Sequence, residues 1–144
     1  MTYPRNPEKG WKLLDHTADI RLEVRGVSLA ELFLNAAEGL TAFLAPGSTV
    51  RADADIEVSL TSNGPEELLV DWLREILFVN QAREFVFVTA EFEELSDNRL
   101  AGRMLGGYGS GAIEPELEIK AVTYHGLTVE RDERGYVARI LLDV

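Results

Sequence analysis

Residues 15–19, Asp-His-Thr-Ala-Asp, bring two carboxylates and an imidazole into five consecutive positions. They stand at the entrance of Ile20-Arg21-Leu22-Glu23-Val24, whose alternation of apolar and charged residues is that of a strand with one wet face. Carboxylate oxygens hold hard divalent cations, and an imidazole beside them can move a proton. Geometry limits the first option. With residues 15–19 fully extended, the two carboxylates lie about 13 Å apart, too far to share an ion whose oxygen ligands sit at about 2.3–2.6 Å. A shared ion therefore needs a sharp bend at Thr17-Ala18 or a second carboxylate from elsewhere in the fold. The plain alternative is a solvated strand entrance.

The chain closes Arg139-Ile140-Leu141-Leu142-Asp143-Val144, which sets Asp143 beside the α-carboxylate of Val144 at the end of a strand. A hard cation would relieve their repulsion, and so would water around a frayed end. His16 and His125 are the only histidines, so any imidazole chemistry must use one of them. Each also reads as a residue that hydrogen-bonds backbone at a strand end.

Composition narrows the classes. With 25 acidic against 14 basic residues, the net charge of −11 argues against a surface that neutralises a phosphate backbone, so no direct nucleic-acid binding is expected. The absence of cysteine removes disulfides, thiolate zinc sites and thiol nucleophiles. No signal-peptide pattern opens the chain and its apolar runs fall short of a membrane span, so a cytoplasmic protein without membrane contact is expected. At 144 residues, 46% of them hydrophobic, the chain suits one well-filled core.

The elements that must position these residues follow from periodicity. Residues 1–10 carry two prolines and little to bury, which predicts a loose arm ahead of a domain over 11–144. A strand over Ile20–Gly26 leads to Ser28 and Glu31, a capping box that opens a helix. Its stripe, Leu29, Leu32, Phe33, Ala36, Ala37, Leu40, Phe43 and Leu44, runs to Pro46-Gly47. Ile56, Val58 and Leu60 alternate in another strand, and Pro65 opens a helix with the stripe Leu68, Leu69, Trp72, Leu73, Ile76 and Leu77. Strands are predicted over 84–94, 99–105, 122–129 and 137–142, the last two hinged at 131–135. Together these give an α+β domain with two amphipathic helices on a mixed, largely antiparallel sheet. Gly106-Gly107-Tyr108-Gly109-Ser110-Gly111 lacks the Gly-Lys-Ser/Thr of a phosphate loop and reads as a hairpin or crossover loop.

Five stretches carry a resemblance: Asp-His-Thr-Ala-Asp-Ile at 15–20, Ser-Leu-Ala-Glu-Leu-Phe at 28–33, Glu-Leu-Leu-Val-Asp-Trp-Leu at 67–73, Glu-Ile-Lys-Ala-Val-Thr-Tyr-His at 118–125, and the closing Asp-Val. In order and over essentially the whole chain after the arm, the sequence resembles the archease family. The resemblance implies an accessory protein rather than an enzyme. Its role would be to activate a GTP-dependent RNA ligase in tRNA splicing, promoting formation of the ligase-guanylate intermediate and multiple turnover. It implies a divalent ion, Ca²⁺, Mg²⁺ or Mn²⁺, on Asp19, Asp143 and Val144, and no catalytic residues of its own. Lys120, His125 and His16 are the candidate contacts to the ligase or its nucleotide, the first two matching the family pattern and His16 alternatively only orienting Asp19. The glycine-rich segment 106–113 departs from that pattern. Two other readings stand beside this one: a free-standing metal-dependent phosphoester hydrolase with His16 or His125 as general base, and a metal-binding protein-interaction scaffold.

Overall fold

The two helices are dictated locally. Helix α1 spans Leu29–Leu44, and at its N-terminus the Oγ of Ser28, in extended backbone, accepts from the N–H of Glu31 at 3.2 Å. The Glu31 carboxylate accepts from the N–H of Val27 at 3.4 Å instead of that of Ser28, so the expected box reaches back one residue further. Helix α2 spans Pro65–Arg83, with the proline in its first turn, where a missing N–H costs nothing. It ends at Glu84, whose left-handed backbone (φ 56°) caps the helix with its N–H on Asn80 O. Glu84 is thus a helix cap and not the first residue of the next strand.

The structure, a computed structural model, describes residues 10–16, 19–109 and 118–144. Residues 1–9 of the expected arm and 110–113 of the glycine-rich segment lie outside these. Seven strands are seen among the described residues: β1 (Trp11–His16), β2 (Asp19–Gly26), β3 (Ala54–Thr61), β4 (Phe85–Leu95), β5 (Arg99–Tyr108), β6 (Ala121–Asp132) and β7 (Gly135–Asp143). The α+β expectation of two helices on largely antiparallel strands holds, and the strands divide between two sheets. There are two antiparallel sheets, ordered β1-β2-β7-β6 and β3-β5-β4. The hairpins β4-β5 and β6-β7 each keep their own pairing; β2 adds to β7 and β3 adds to β5, and among the described residues no ladder joins the two sets.

The helices bridge the sheets, α1 against β2 and β4, and α2 against β6 and β4. Trp72, Phe33, Phe85, Ile20 and Leu22 are fully buried between the layers. None of the described helices is long and apolar enough to cross a membrane. Strand β1 was not anticipated. Its last arm-side neighbour, Gly10, accepts from Arg25 N–H at 2.6 Å and prolongs the β1-β2 ladder by one residue. Strand β5 runs through Gly106 and Gly107, which the sequence suggests are loop. Glycine is required there because a Cβ at 106 would collide with the Val86 carbonyl and one at 107 with Val50.

Glu23 is the one buried charged residue among those described. Its carboxylate meets Lys12 Nζ at 2.9 Å, Arg139 Nη2 at 3.4 Å and Arg25 Nη2 at 3.8 Å. The Lys12 hydrogen bond, helped by the charges of Lys12, Arg25 and Arg139, lowers its pKa against the opposing effect of burial. A depressed folded pKa gives stability that is present above the unfolded value of about 4.3 and is lost as pH falls through the folded value. Glu23→Gln should therefore cost about 1–3 kcal/mol at neutral pH. The gap between the two proteins should shrink as pH drops from 5 to 3, as measured by urea unfolding at each pH. A gap independent of pH would remove the ion cluster as its cause.

Candidate functional site

Strands β2 and β7 run antiparallel with Asp19 directly opposite Asp143, and β6 adds Ala121 opposite Asp143 on the other side. Residues paired across a ladder share a face, so the two carboxylates leave the same side of the sheet from Cβ atoms about 4.5–5.5 Å apart. One position along, Ile20, Leu142 and Val122 form a buried row on the opposite face. The alternation that buries this row is what turns Asp19 and Asp143 outward. Asp19 is half-buried, Asp143 is exposed, and Val144 packs partly against the core.

Among the described residues, neither carboxylate has a hydrogen bond or salt bridge to a side chain. Like charges directly opposite cost about 0.2–1 kcal/mol when uncompensated. No group of three His, Asp or Glu side chains forms around them among the described residues.

The extended geometry considered for residues 15–19 is not the observed one. His16 pairs with Ile20 and Asp15 with Arg21, so the chain reverses between His16 and Asp19. The side chains of Asp15 and His16 lie outside the described ones, and so does the orienting role assigned to His16. Lys120 stands beside the pair through its backbone, donating its N–H to Asp143 O at 2.8 Å; its exposed ammonium makes no ion pair with a described carboxylate.

His125 is not brought to the carboxylates. The β6-β7 register passes from Thr123↔Leu141 to Thr128↔Arg139, so Tyr124–Leu127 bulge out opposite Ile140 alone. His125 is exposed on this bulge and its N–H donates to Thr123 Oγ1 at 2.9 Å. Two α2 residues that periodicity left as surface polar positions hold the bulge. Tyr124 OH donates to Asp71 Oδ1 at 2.8 Å, and the Arg74 guanidinium lies 4.5 Å from the Tyr124 ring centre while its Nε donates to Val122 O at 3.0 Å. Burial first, then the Asp71 bond, raise the Tyr124 pKa. The only sequence signal for this cluster was the Asp-Trp-Leu-Arg run on α2, in which the flanking polar residues are spaced to share a helix face.

The Archease protein family matches residues 11–144. Protein archease of Methanosarcina mazei is 33% identical over 147 residues, covering 94% of this chain and 97% of that protein. Protein archease of Archaeoglobus fulgidus is 33% identical over 136 residues, covering 93% and 98%. A solution structure of protein 1598 from Methanobacterium thermoautotrophicum superposes with a TM-score of 0.78 at 32% identity, covering 94% of this chain and 99% of that one. A crystal structure of a Thermotoga maritima archease, described as a possible chaperone, shares the fold with a TM-score of 0.56 at 22% identity, covering 100% of both chains. With the match spanning all but the first ten residues, this chain belongs to the archease family.

Proposed function

We propose that this protein is a metal-binding accessory factor that activates a GTP-dependent RNA ligase of tRNA splicing, promoting its guanylylation and multiple turnover. The observation that carries the reading is the facing pair Asp19 and Asp143, two hard oxygen donors with no ion pair to a cation among the described residues. Their donor set fits Ca²⁺, Mg²⁺ or Mn²⁺, with the α-carboxylate of Val144 as the adjoining third ligand. When bound, such an ion supplies positive charge against a triphosphate. The chain's own contribution is positional. Sheet pairing fixes both carboxylates, and the Lys120 N–H on Asp143 O holds the last turn of β7 in register. Lys120, exposed and next to the pair through its backbone, would meet nucleotide phosphate or the ligase. A net charge of −11 favours encounter with a basic partner surface. The description of the Thermotoga relative as a possible chaperone fits a role exercised on another protein.

The test is guanylylation of the cognate ligase with GTP and Mg²⁺ or Mn²⁺, with and without this protein, beside a panel of phosphoesters offered to the protein alone. Stimulation of the ligase with no hydrolysis is expected; hydrolysis without stimulation would favour the hydrolase reading. The chain end gives a sharper check. Appending Gly-Ser after Val144 replaces a charged acceptor by a neutral amide, and should weaken ion binding about 10–100-fold, with a parallel fall in stimulation. The same extension before Met1 should be silent. Calorimetric titration of both extended proteins reads the difference, and equal affinities would remove Val144 from the ligand set.

A further inference from the structure

The exposed edge formed by α2 and the β6 bulge is more than a structural brace. Locking the bulge requires only the Tyr124 hydroxyl and the Arg74 guanidinium, yet the Tyr124 side chain stays 44% exposed and Phe78, one turn beyond Arg74, is 55% exposed. Asp71, Arg74 and Phe78 fall at i, i+3 and i+7, on one line of the helix. At the upper end of this line, a cleft of about 610 Å³ opens between Tyr124, Leu127, Asn63, Gly64, Glu66 and Glu67. At the lower end, Gln81 Nε2 donates to Ile119 O at 2.8 Å, and the next residue, Lys120, bonds Asp143. The strip thus runs from an acidic, aromatic-walled cleft along α2 and the outer strand β6 to Lys120, whose backbone bonds that of Asp143 at the end of β7.

We infer that this strip is the surface on which the partner ligase docks, with a lysine or arginine of the ligase seated in the cleft between Tyr124 and the Glu66 and Glu67 carboxylates. The inference rests on the ligase-activator reading above. Three observations favour a basic protein occupant. The cleft joins carboxylates to an aromatic wall, a combination that binds cations through both charge and ring face. Along the strip stand exposed tyrosine, arginine and phenylalanine, residue types that are enriched at protein interfaces. The strip also ends at Lys120, one backbone hydrogen bond from Asp143 of the proposed ion site. The bulge sets the ring in place: four residues stand against one on β7, and Gly126, at φ 70° with open space around it, lets the chain turn back.

The experiment measures affinity of the purified cognate ligase for the parent, Tyr124→Ser, Glu66→Gln/Glu67→Gln, Phe78→Ser and Asp19→Ala, each with far-UV circular dichroism and ion-dependent melting. The first three variants should bind the ligase about tenfold or more weakly while keeping the parental response to Ca²⁺ or Mg²⁺. Asp19→Ala should bind within about threefold of the parent and fail to stimulate. Added salt should weaken the parent more than the Glu66→Gln/Glu67→Gln protein. Should Tyr124→Ser not fold, Tyr124→Phe, which keeps the ring, and the doubly neutralised cleft carry the test, the former binding as the parent and the latter not. Parental affinity in both Tyr124→Ser and the glutamate variant, with stimulation intact, would overturn the docking surface alone. A parent that neither binds nor stimulates the ligase would overturn the activator reading and the docking surface together.

Discussion

Asp19→Ala should leave a folded protein that no longer stimulates guanylylation and no longer melts higher in the presence of Ca²⁺ or Mg²⁺. The two halves of this expectation have different sources. In the ion-free state the substitution removes one of two facing like charges, so unfolding free energy should be unchanged or higher by about 0.2–1 kcal/mol. With the ion at about a hundred times its dissociation constant, the parent should gain about 2.7 kcal/mol and the variant nothing measurable. Most substitutions that abolish function also cost stability; here stability and function are expected to move in opposite directions. Melting with and without ion, run beside the guanylylation assay, reads both. An Asp19→Ala protein that keeps its ion-induced rise in Tm would move the metal site elsewhere in the fold.

Trp72→Ala should have the largest effect on the fold itself. The side chain is fully buried, donates Nε1–H to Phe33 O at 2.9 Å, and meets Phe87 and Phe92 edge-on at 5.9 and 5.5 Å. It therefore ties α2 to α1 and to β4 of the three-stranded sheet. Loss of so large a side chain at a layered interface costs about 3–5 kcal/mol, against a total of about 5–15 kcal/mol for a natural domain. Trp72→Phe keeps a ring and forfeits the hydrogen bond, worth about 0.5–1.5 kcal/mol, plus a smaller void. The ranking parent, Phe, Ala should appear in urea midpoints followed by far-UV circular dichroism. A Trp72→Ala protein within about 1 kcal/mol of the parent would mean that the interface collapses freely around the gap.

Local chemistry is what the amino-acid sequence makes legible. Ser28 with Glu31, Pro65 in a first turn, and the stripes of both helices are set by neighbours within one or two turns, and the structure places them within a residue of expectation. Strand β1 escaped notice because Leu13 and Leu14 are adjacent apolar residues and the register shifts between Leu13 and Asp15, which breaks the period of two. The extension of β5 escaped because Gly106 and Gly107 read as loop in isolation; their reason is the carbonyl of Val86 on a neighbouring strand. Division into two sheets depends on pairings between distant segments, which no window of sequence contains. The same holds for the candidate site. Asp19 and Asp143 are ladder partners at opposite ends of the chain, and nothing in the spacing of either announces the other. Family resemblance supplied that pairing beforehand, and the Asp71, Arg74 and Tyr124 cluster had no such guide.

The order of strands has a consequence for how the protein is made. In the sheet β1-β2-β7-β6, β7 is an inner strand hydrogen-bonded on both edges, yet it is the last of the seven to leave the ribosome. Until it emerges, the β1-β2 hairpin and β6 have no common partner, while the three-stranded sheet and both helices are already synthesised. A nascent chain can therefore close one sheet before the other, and Ile20, Leu22 and Val24 gain their full cover only once β7 has emerged. A chain cut before Gly135 lacks the strand that joins β2 to β6 and should keep the three-stranded sheet alone well formed, a loss read by far-UV circular dichroism against the parent.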